Sequence, residues 1–484
     1  IKESPIFGAG ANRFVNQYLK YKPQEINQTQ FFGVEFANGF GNIPSIIVTQ
    51  GLLGIILWIF FIIVFSINGY KNLNKNETVS EYHNFLKSSL YFISLSLILA
   101  NIIYTPSHVI MLFTAIFIGL SFSTISVKEY SLNKKLISAL LILIIIIEIL
   151  WFSALIRKSI AVHYFESGIQ AINAEDKLGF ENAEKYFTKS IQFDKSDVYY
   201  QALSENSILK ISSLSKELQK QSQSGEKSLS EETAKKIGEL VEYAVSYSRK
   251  AVEIDPLNYY NYIAEARISE LAATLQVKDA YENAKNAYIN SLKLNPRSPN
   301  IYLSIAKLEV SQNKISEAQK YVEASLQLKQ NYIDAIFLLA QIQVSQGKTK
   351  DAINSVKFAT TVNPNEPSLF FQLGILQYND KNYLDAIESF NKAIKLNIQY
   401  ANAQYFLGLS YARIGKVKDA IISFENLEKT NPENEEVKLI LKNLRIGNTI
   451  FTDAQPPIDN KPEKRKTLPI QEKKTTVNKS NLTR

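Results

Sequence analysis

Apolar side chains follow two patterns along this chain. Four unbroken runs, Ile46–Ile67, Ser88–Tyr104, Val109–Val127 and Leu136–Ile156, approach or exceed the roughly 20 residues that about 30 Å of hydrocarbon demands of a helix. They predict four membrane spans between residues 43 and 156, the second short enough to need little tilt or help from its neighbours. From residue 157 to 446 the apolar positions instead recur at helical spacing among polar ones, and beyond 447 they become sparse. Four crossings leave residues 1–42 and everything after Ile156 on one side. Lys71, Lys75 and Lys87 fall between the first two runs and Lys128, Lys134 and Lys135 between the last two, whereas Thr105–His108 holds no Lys or Arg. The positive-inside rule puts those basic loops in the cytoplasm and both large polar portions outside it. Lys2, Arg13, Lys20, Lys22, Arg157 and Lys158 oppose that orientation. Glu148 lies more than a turn inside the fourth run, where a carboxylate has to face other helices, a partner or water, either as a functional group or as a protonated or paired structural one.

The helical part repeats. Ala318, Ala352, Ala386 and Ala420 stand 34 residues apart, as do Ile305, Leu339, Leu373 and Leu407, then the small Ala306, Ala340, Gly374 and Gly408, and the bulky Val322, Val356, Phe390 and Phe424. Pro296, Pro364 and Pro432 recur at twice the interval. Small residues let two antiparallel helices approach, large ones fill the groove between successive hairpins, and proline or asparagine ends the second helix. No unit of this kind buries its apolar face alone. The pattern resembles the tetratricopeptide repeat. It predicts regular repeats over 299–446, closed by a capping helix from Glu435 to Ile446, and irregular ones over 157–298, marked by Ala183 and Phe187, by Ala244, Ala251 and Pro256, and by Ala284, Tyr288 and Ser291, with an insertion from Ser213 to Ser230. About seven repeats result. Their first helices line a concave face, on which fall Asn300, Leu303, Lys307, Phe337, Gln341, Phe371, Tyr378, Asn402 and Tyr405. Aromatics alternating with amides suit an extended peptide, a protein segment or a glycan stacked on rings; about half could equally pack between neighbouring first helices.

Composition narrows the chemistry. The 484 residues contain no cysteine, which excludes disulfides, thiolate metal sites and thiol nucleophiles and fits either side of a bacterial membrane. His83, His108 and His163 are scattered, so neither a metal cage nor a cofactor is expected. The net charge of +8 suggests nucleic acid until it is located. Residues 447–484, which include PPIDNKPEKRKTLP, hold eight Lys or Arg against four Asp or Glu and so supply half the excess. They read as a disordered basic tail, and no nucleic-acid partner is expected. The chain opens on Ile1 and its one methionine, Met111, sits inside an apolar run, so it reads as part of a longer protein.

Residues 1–42 form the end of a loop that contains SPIFGAGANRF and YLKYKPQEINQTQFF and leads through FGNIPS into the first span. Gly8 and Gly10 do not make a dinucleotide fingerprint, because Arg13 stands where the third glycine belongs and no βαβ unit surrounds it. The Gly, Asn and Pro of FGNIPS are expected to break the backbone at the interface and line an acceptor site, with Gly51 and Gly54 letting the next helix pack closely. Pro5, Phe7, Gly8, Gly10 and Phe14, followed by Gly51, Leu52, Leu53 and Gly54, resemble the end of the large extracytoplasmic loop in bacterial O-antigen ligases and polymerases. These are polytopic glycosyltransferases, some with tetratricopeptide repeats appended. The resemblance covers about residues 1–156 and implies transfer of a glycan from a lipid diphosphate carrier to an acceptor. Many relatives end the loop in His-Asn, the histidine being a proposed base; Gly41 and Asn42 stand there in this chain, leaving Glu35, Glu25 or His108, in the link between spans two and three, to serve. Arg13, the one arginine of the loop, suits the departing diphosphate, or alternatively a lipid headgroup or a surface pair. The candidate catalytic set is Arg13, Glu35, Asn42 and His108.

The sequence thus predicts an all-α protein, polytopic transmembrane helices followed by a tetratricopeptide-repeat α-solenoid, in the bacterial cytoplasmic membrane with its repeats extracytoplasmic. As a function it predicts part of a membrane glycan ligase whose partners are a lipid-linked glycan and whatever the repeats hold. The alternatives are a non-catalytic envelope scaffold and, with reversed topology, a cytoplasmic co-chaperone.

Overall fold

The structure is a computed structural model describing residues 3–73, 81–105, 107–123, 134–173, 177–224, 227–465 and 467–471. Lys2, Lys75, Lys128 and residues 472–484 lie outside the described residues, as do the side chains of Lys134 and His108. Among the described residues all regular structure is helical. The chain divides into two compact units, residues 1–301 and 302–484.

The first unit starts with a short helix α1 (Phe14–Tyr21) and a single 3-10 turn, Gln24–Gln28. Three apolar helices follow, α2 (Asn42–Leu73), α3 (Glu81–Ile103) and α4 (His108–Ser123). Near one end of this group Phe65 stacks on Tyr91 with ring centroids 5.3 Å apart and meets Phe122 edge-on at 5.7 Å. Near the other, Asn42 Nδ2 donates to Asn101 Oδ1 at 3.2 Å and Asn101 Nδ2 to Thr114 Oγ1 at 3.4 Å, tying all three helices together. Such bonds contribute ~0.6 kcal/mol each between helices in hydrocarbon.

The next helix, α5, runs unbroken from Lys134 to Ile172. Among the described residues, three helical stretches are long and apolar enough to cross a membrane: Ser45–Lys71, Asn84–Ile103 and Lys135–Ile172. Of the four expected spans, the third is described only in part. The third run, expected to reach Val127, is described as helix over only the 16 residues of α4, about 24 Å at 1.5 Å per residue, and residues 124–133 are outside the described set. Glu148 is exposed on α5 among exposed aliphatic side chains.

The far end of α5 doubles as the first helix of the first hairpin, packing with α6 (Lys177–Phe193) through Phe165 and Phe187. Two more hairpins follow, α7 (Asp197–Ser224) with α8 (Lys227–Ile254) and α9 (Tyr259–Thr274) with α10 (Ala280–Leu294). The expected insertion makes α7 and α8 28 residues long each. Four regular hairpins come next, α11 (Pro299–Ser311) with α12 (Ile315–Leu328), α13 (Ile333–Ser345) with α14 (Thr349–Val362), α15 (Pro367–Asn379) with α16 (Tyr383–Leu396) and α17 (Ala401–Arg413) with α18 (Val417–Thr430). The helix α19 (Glu435–Arg445) caps them, its N-terminal N–H of Val437 bonded to the Asn434 side chain.

Side-chain volume explains why these hairpins close. Ala318, Ala352, Ala386 and Ala420 are all fully buried, as are Val322, Val356, Phe390 and Phe424. The small first-helix position and the bulky second-helix position vary inversely. Alanine at 306 and 340 goes with valine at 322 and 356, and glycine at 374 and 408 goes with phenylalanine at 390 and 424. A methyl on Gly374 would lie 2.5 Å from the Phe390 ring, and one on Gly408 2.7 Å from that of Phe424. Gly168, off the regular spacing and so missed by the period, repeats this pairing with Phe187 in the first hairpin.

Within the segment expected as a disordered tail, residues 447–465 and 467–471 are described lying on the repeats: Ile450 and Phe451 pack against the last hairpins and Ile470 is only 3% exposed. Ile450, Phe451 and Ile470 land on the repeat core, and polar bonds fix the chain between them.

Candidate functional site

The segment that leads into the membrane is fastened into α2. Gly51 interrupts that helix with φ +65° and ψ −158°, freeing two carbonyls on one side and two N–H groups on the other. Residues 5–10 take up all four. Ala9 N–H donates to Val48 O and Gly10 N–H to Thr49 O, each at 2.9 Å, while Leu52 N–H donates to Pro5 O at 2.8 Å and Leu53 N–H to Ile6 O at 3.0 Å. A broken helix is tolerated at membrane depth only where its polar groups are met in this way. The approach is backbone to backbone: a Cβ on Gly8 would fall 2.5 Å from the N of Gln50, and one on Gly51 2.5 Å from the N of Gly8. The break expected at FGNIPS therefore sits further on. At FGNIPS the chain turns into α2 with Ser45 Oγ accepting from Gly39 N–H at 2.9 Å and donating to Gly41 O at 2.6 Å.

From there the loop reaches the turns that join successive repeats. Arg13 Nη1 pairs with Asp255 Oδ2 at 2.7 Å, and Asn16 donates to Leu257 O. Asn27 Nδ2, fully buried, donates to Arg297 O at 2.9 Å, and Arg297 Nη1 returns a bond to Lys22 O at 2.5 Å. Tyr259 OH donates to Glu35 Oε1 at 2.5 Å. The turn that receives Arg13 and Asn16 is itself held by Asn261, whose Nδ2 donates to Asp255 O at 2.8 Å and Ala251 O at 3.0 Å. Burial of Lys22 pushes its ammonium below the ordinary lysine value, with Glu35 opposing that shift.

Arg13 and Glu35 are thus brought to one face of the repeats and given protein partners there. Asn42 is engaged elsewhere, with Asn101 and with its N–H on Tyr104 O at 3.4 Å, and His108 opens α4. Asp255, Tyr259 and Arg297 carry the docking but lack any periodic signal in the sequence.

Docking has a pH sense. Burial first, then the bond to Glu35, hold the Tyr259 phenol above its ordinary value of 10.0. A released Tyr259 ionises near 10 while the docked one keeps its proton. This contribution is therefore complete below pH ~10 and lost as pH rises beyond it. Tyr260, also raised, acts in the same direction and Lys22 in the opposite one. A dye on Gln30→Cys should show an anisotropy fall above pH ~10 that shrinks in Tyr259→Phe; identical curves for the two would remove the phenol from the account.

On the repeats, the expected ligand-facing residues divide. Asn300, Lys307 and Gln341 are exposed and Phe337 is half-buried. Leu303, Phe371, Tyr378, Asn402 and Tyr405 are buried, the alternative that the sequence left open for about half of the set. Phe371 lies against Tyr400 at 4.9 Å and Phe390 at 6.0 Å, filling space between hairpins. Leu303 packs among Ala306, Val322 and Leu338, and Tyr378, Asn402 and Tyr405 lie beside the tail. Asn402 Nδ2 donates to Ile470 O at 2.9 Å and Asn402 Oδ1 accepts from Ile470 N–H at 3.1 Å; Asn434 Nδ2 donates to Pro469 O at 3.1 Å. Tyr405 OH donates to Glu436 Oε1 at 2.6 Å, and Glu436 Oε2 pairs with Arg465 Nη1 at 2.7 Å. Burial and the neighbouring Glu436 push the Tyr405 phenol well up, so it stays a donor.

Residues 337–401 and 371–435 match the family model of the tetratricopeptide repeat. The match lies wholly within the repeats and does not reach residues 1–156. No curated protein is similar in sequence. Among solved structures, the chain is similar to YrrB, described as a TPR protein with an unusual peptide-binding site, at 20% identity over 40% of this chain and 97% of that one, with a TM-score of 0.31. It is similar to PilF of Pseudomonas aeruginosa at 17% identity over 47% and 95%, with a TM-score of 0.32. It is also similar to PilW, described as a widely conserved type IV pilus biogenesis factor, at 20% identity over 42% and 92%, with a TM-score of 0.34.

Proposed function

We propose that this protein is a membrane-tethered repeat protein that binds an extended polypeptide on the first-helix face of its repeats, next to the bilayer and outside the cytoplasm. The observation that carries the reading is α5, one helix whose apolar stretch leads without interruption into the first hairpin. The repeats therefore begin where the membrane ends. Lys307, Phe337 and Gln341 supply the cationic, aromatic and amide groups of an accessible peptide face. The bonds from Arg13, Asn27 and Glu35 to the repeat turns support placing loop and repeats in one compartment. Shared sidedness requires an even number of crossings between residues 42 and 157, so α4 then crosses as well, and the basic loops favour the outer side for both ends.

A second reading, part of a membrane glycan ligase or polymerase, is favoured by one observation. The two halves of the glycine pattern that resembles those enzymes, residues 5–10 and 51–54, are bonded to each other at the entry to the membrane. On this reading Arg13 exchanges Asp255 for the lipid diphosphate of the glycan donor, Glu35 leaves Tyr259 to act as base, and the repeats bind the acceptor or a partner.

The absence of cysteine makes single-cysteine probes direct. Gln30→Cys and Lys307→Cys should both react with an impermeant maleimide in intact cells. A photocrosslinker carried at Lys307→Cys should capture a polypeptide that the same probe at Ile422→Cys does not. Protection of either site separates loop from repeats or turns both inward, and equal capture at 307 and 422 removes the binding face.

A further inference from the structure

The tail of this chain lies on the repeats as a ligand would. Asn402, fully buried, spends one carboxamide on both backbone groups of a single residue, Ile470, as an adjacent β-strand would do. That recognition reads the backbone of one residue and is indifferent to the side chain. Specificity comes from the flanks. The Ile470 side chain enters the apolar cluster that contains Tyr378 and Tyr405. Five residues earlier, Arg465 reaches Glu436, a carboxylate only 7% exposed, and is braced by Asp459 through its main-chain O at 2.7 Å and Oδ1 at 3.3 Å. Glu436 is in turn bonded by Tyr405, so one buried network joins groove and segment. Three of the residues engaged, Tyr378, Asn402 and Tyr405, fall where the 34-residue register places the ligand-facing side of first helices.

We propose that the groove formed by α15, α17 and the start of α19 is a peptide-binding site, and that residues 459–465 and 467–470 are its tethered ligand. The site takes segments bearing an arginine followed four and five residues later by proline and an aliphatic residue. A partner carrying such a segment binds by displacing the tail. This deepens the peptide-binding reading above and rests on it, while locating the site at the opposite end of the regular repeats from Lys307. A short tether gives the tail an effective concentration near the millimolar range, so occupancy in cis suppresses binding in trans by ~10²-fold or more.

The test is fluorescence anisotropy of a labelled synthetic peptide with the sequence of residues 458–471, added to the full chain in detergent. It should bind Ile470→Asp, whose own tail can no longer seat, at least ~10²-fold more tightly than the unchanged protein. Adding Asn402→Ala to that chain should weaken binding about tenfold, as should Arg465→Ala within the peptide. A peptide N-methylated at the Ile470 position deletes the N–H read by Asn402 Oδ1 without altering the protein, and should lose a similar factor even if Asn402→Ala folds poorly. Equal, weak binding to the unchanged chain and to Ile470→Asp would reduce the tail to a structural cap, and an unimpaired N-methyl peptide would remove the backbone clamp. Photocapture at Lys307 does not depend on either outcome, so the broader peptide-binding reading stands or falls separately.

Discussion

Gly51→Ala will release the loop from α2. The new methyl has to occupy space 2.5 Å from Gly8 N and 2.6 Å from Ile6 O, which are main-chain atoms with no rotamer to change. A left-handed φ adds ~1–2 kcal/mol for any residue with a Cβ. The four exchanged hydrogen bonds, ~1 kcal/mol each net and more where water cannot replace them, fail together once the segment lifts away. A loss of about 3–5 kcal/mol is expected, read as a lower unfolding temperature of the detergent-solubilised protein through Trp58 fluorescence and as faster tryptic cleavage after Arg13 and Lys20. Gly33→Ala is the matched control, since nothing lies within 4 Å of its Cβ position. If the Gly51 and Gly33 variants behave alike, the interlock does not hold the loop. On the ligase reading, glycan transfer falls with the interlock as well.

The second large effect lies in the repeats. Gly374→Ala drives a methyl into the Phe390 ring at 2.5 Å and should cost ~1–3 kcal/mol by overpacking. Phe390→Val alone empties part of a fully buried site and should cost ~2–4 kcal/mol. Together the two changes rebuild the alanine-valine pair found one repeat earlier at 340 and 356. The double variant should therefore be more stable than the sum of the singles predicts by ~1–2 kcal/mol. Rescue stays incomplete because Phe390 also stacks on Phe406, 6.0 Å away. Chemical denaturation followed by helical circular dichroism measures the cycle, and strict additivity would refute the size-complementarity account.

The contrast between these sites shows what sequence order can carry. Ala318, Ala352, Ala386 and Ala420 were legible because a repeat states the same packing problem several times, and all four prove fully buried. Phe337 and Phe371 occupy one register position, yet the first is half-buried and the second 6% exposed. The difference comes from Tyr400 lying on Phe371, and periodicity does not encode such an unequal neighbour. The docking of Arg13, Asn27 and Glu35 was illegible for another reason. Their partners lie 242, 270 and 224 residues away, and single polar residues carry no phase by which to find one another. Tail residues Ile450, Phe451 and Ile470 were too few to announce a packed segment, although the surface that Ile470 covers was visible in the register of Asn402 and Tyr405. The glycine pattern marked the right residues, Gly8 and Gly51, while leaving unsaid that they meet.

The unbroken course of α5 restricts how such a chain can vary. A helix advances 1.5 Å and turns about 100° with each residue, so the bearing of the first hairpin is written as rotational phase along 39 residues with no swivel among them. One extra residue beside Arg157 would swing the inter-repeat turns about 100° around that axis, out of reach of Arg13 and Asn27, whose own anchor in α2 does not follow. Length change, harmless in an ordinary linker, is here equivalent to misaligning a keyed shaft.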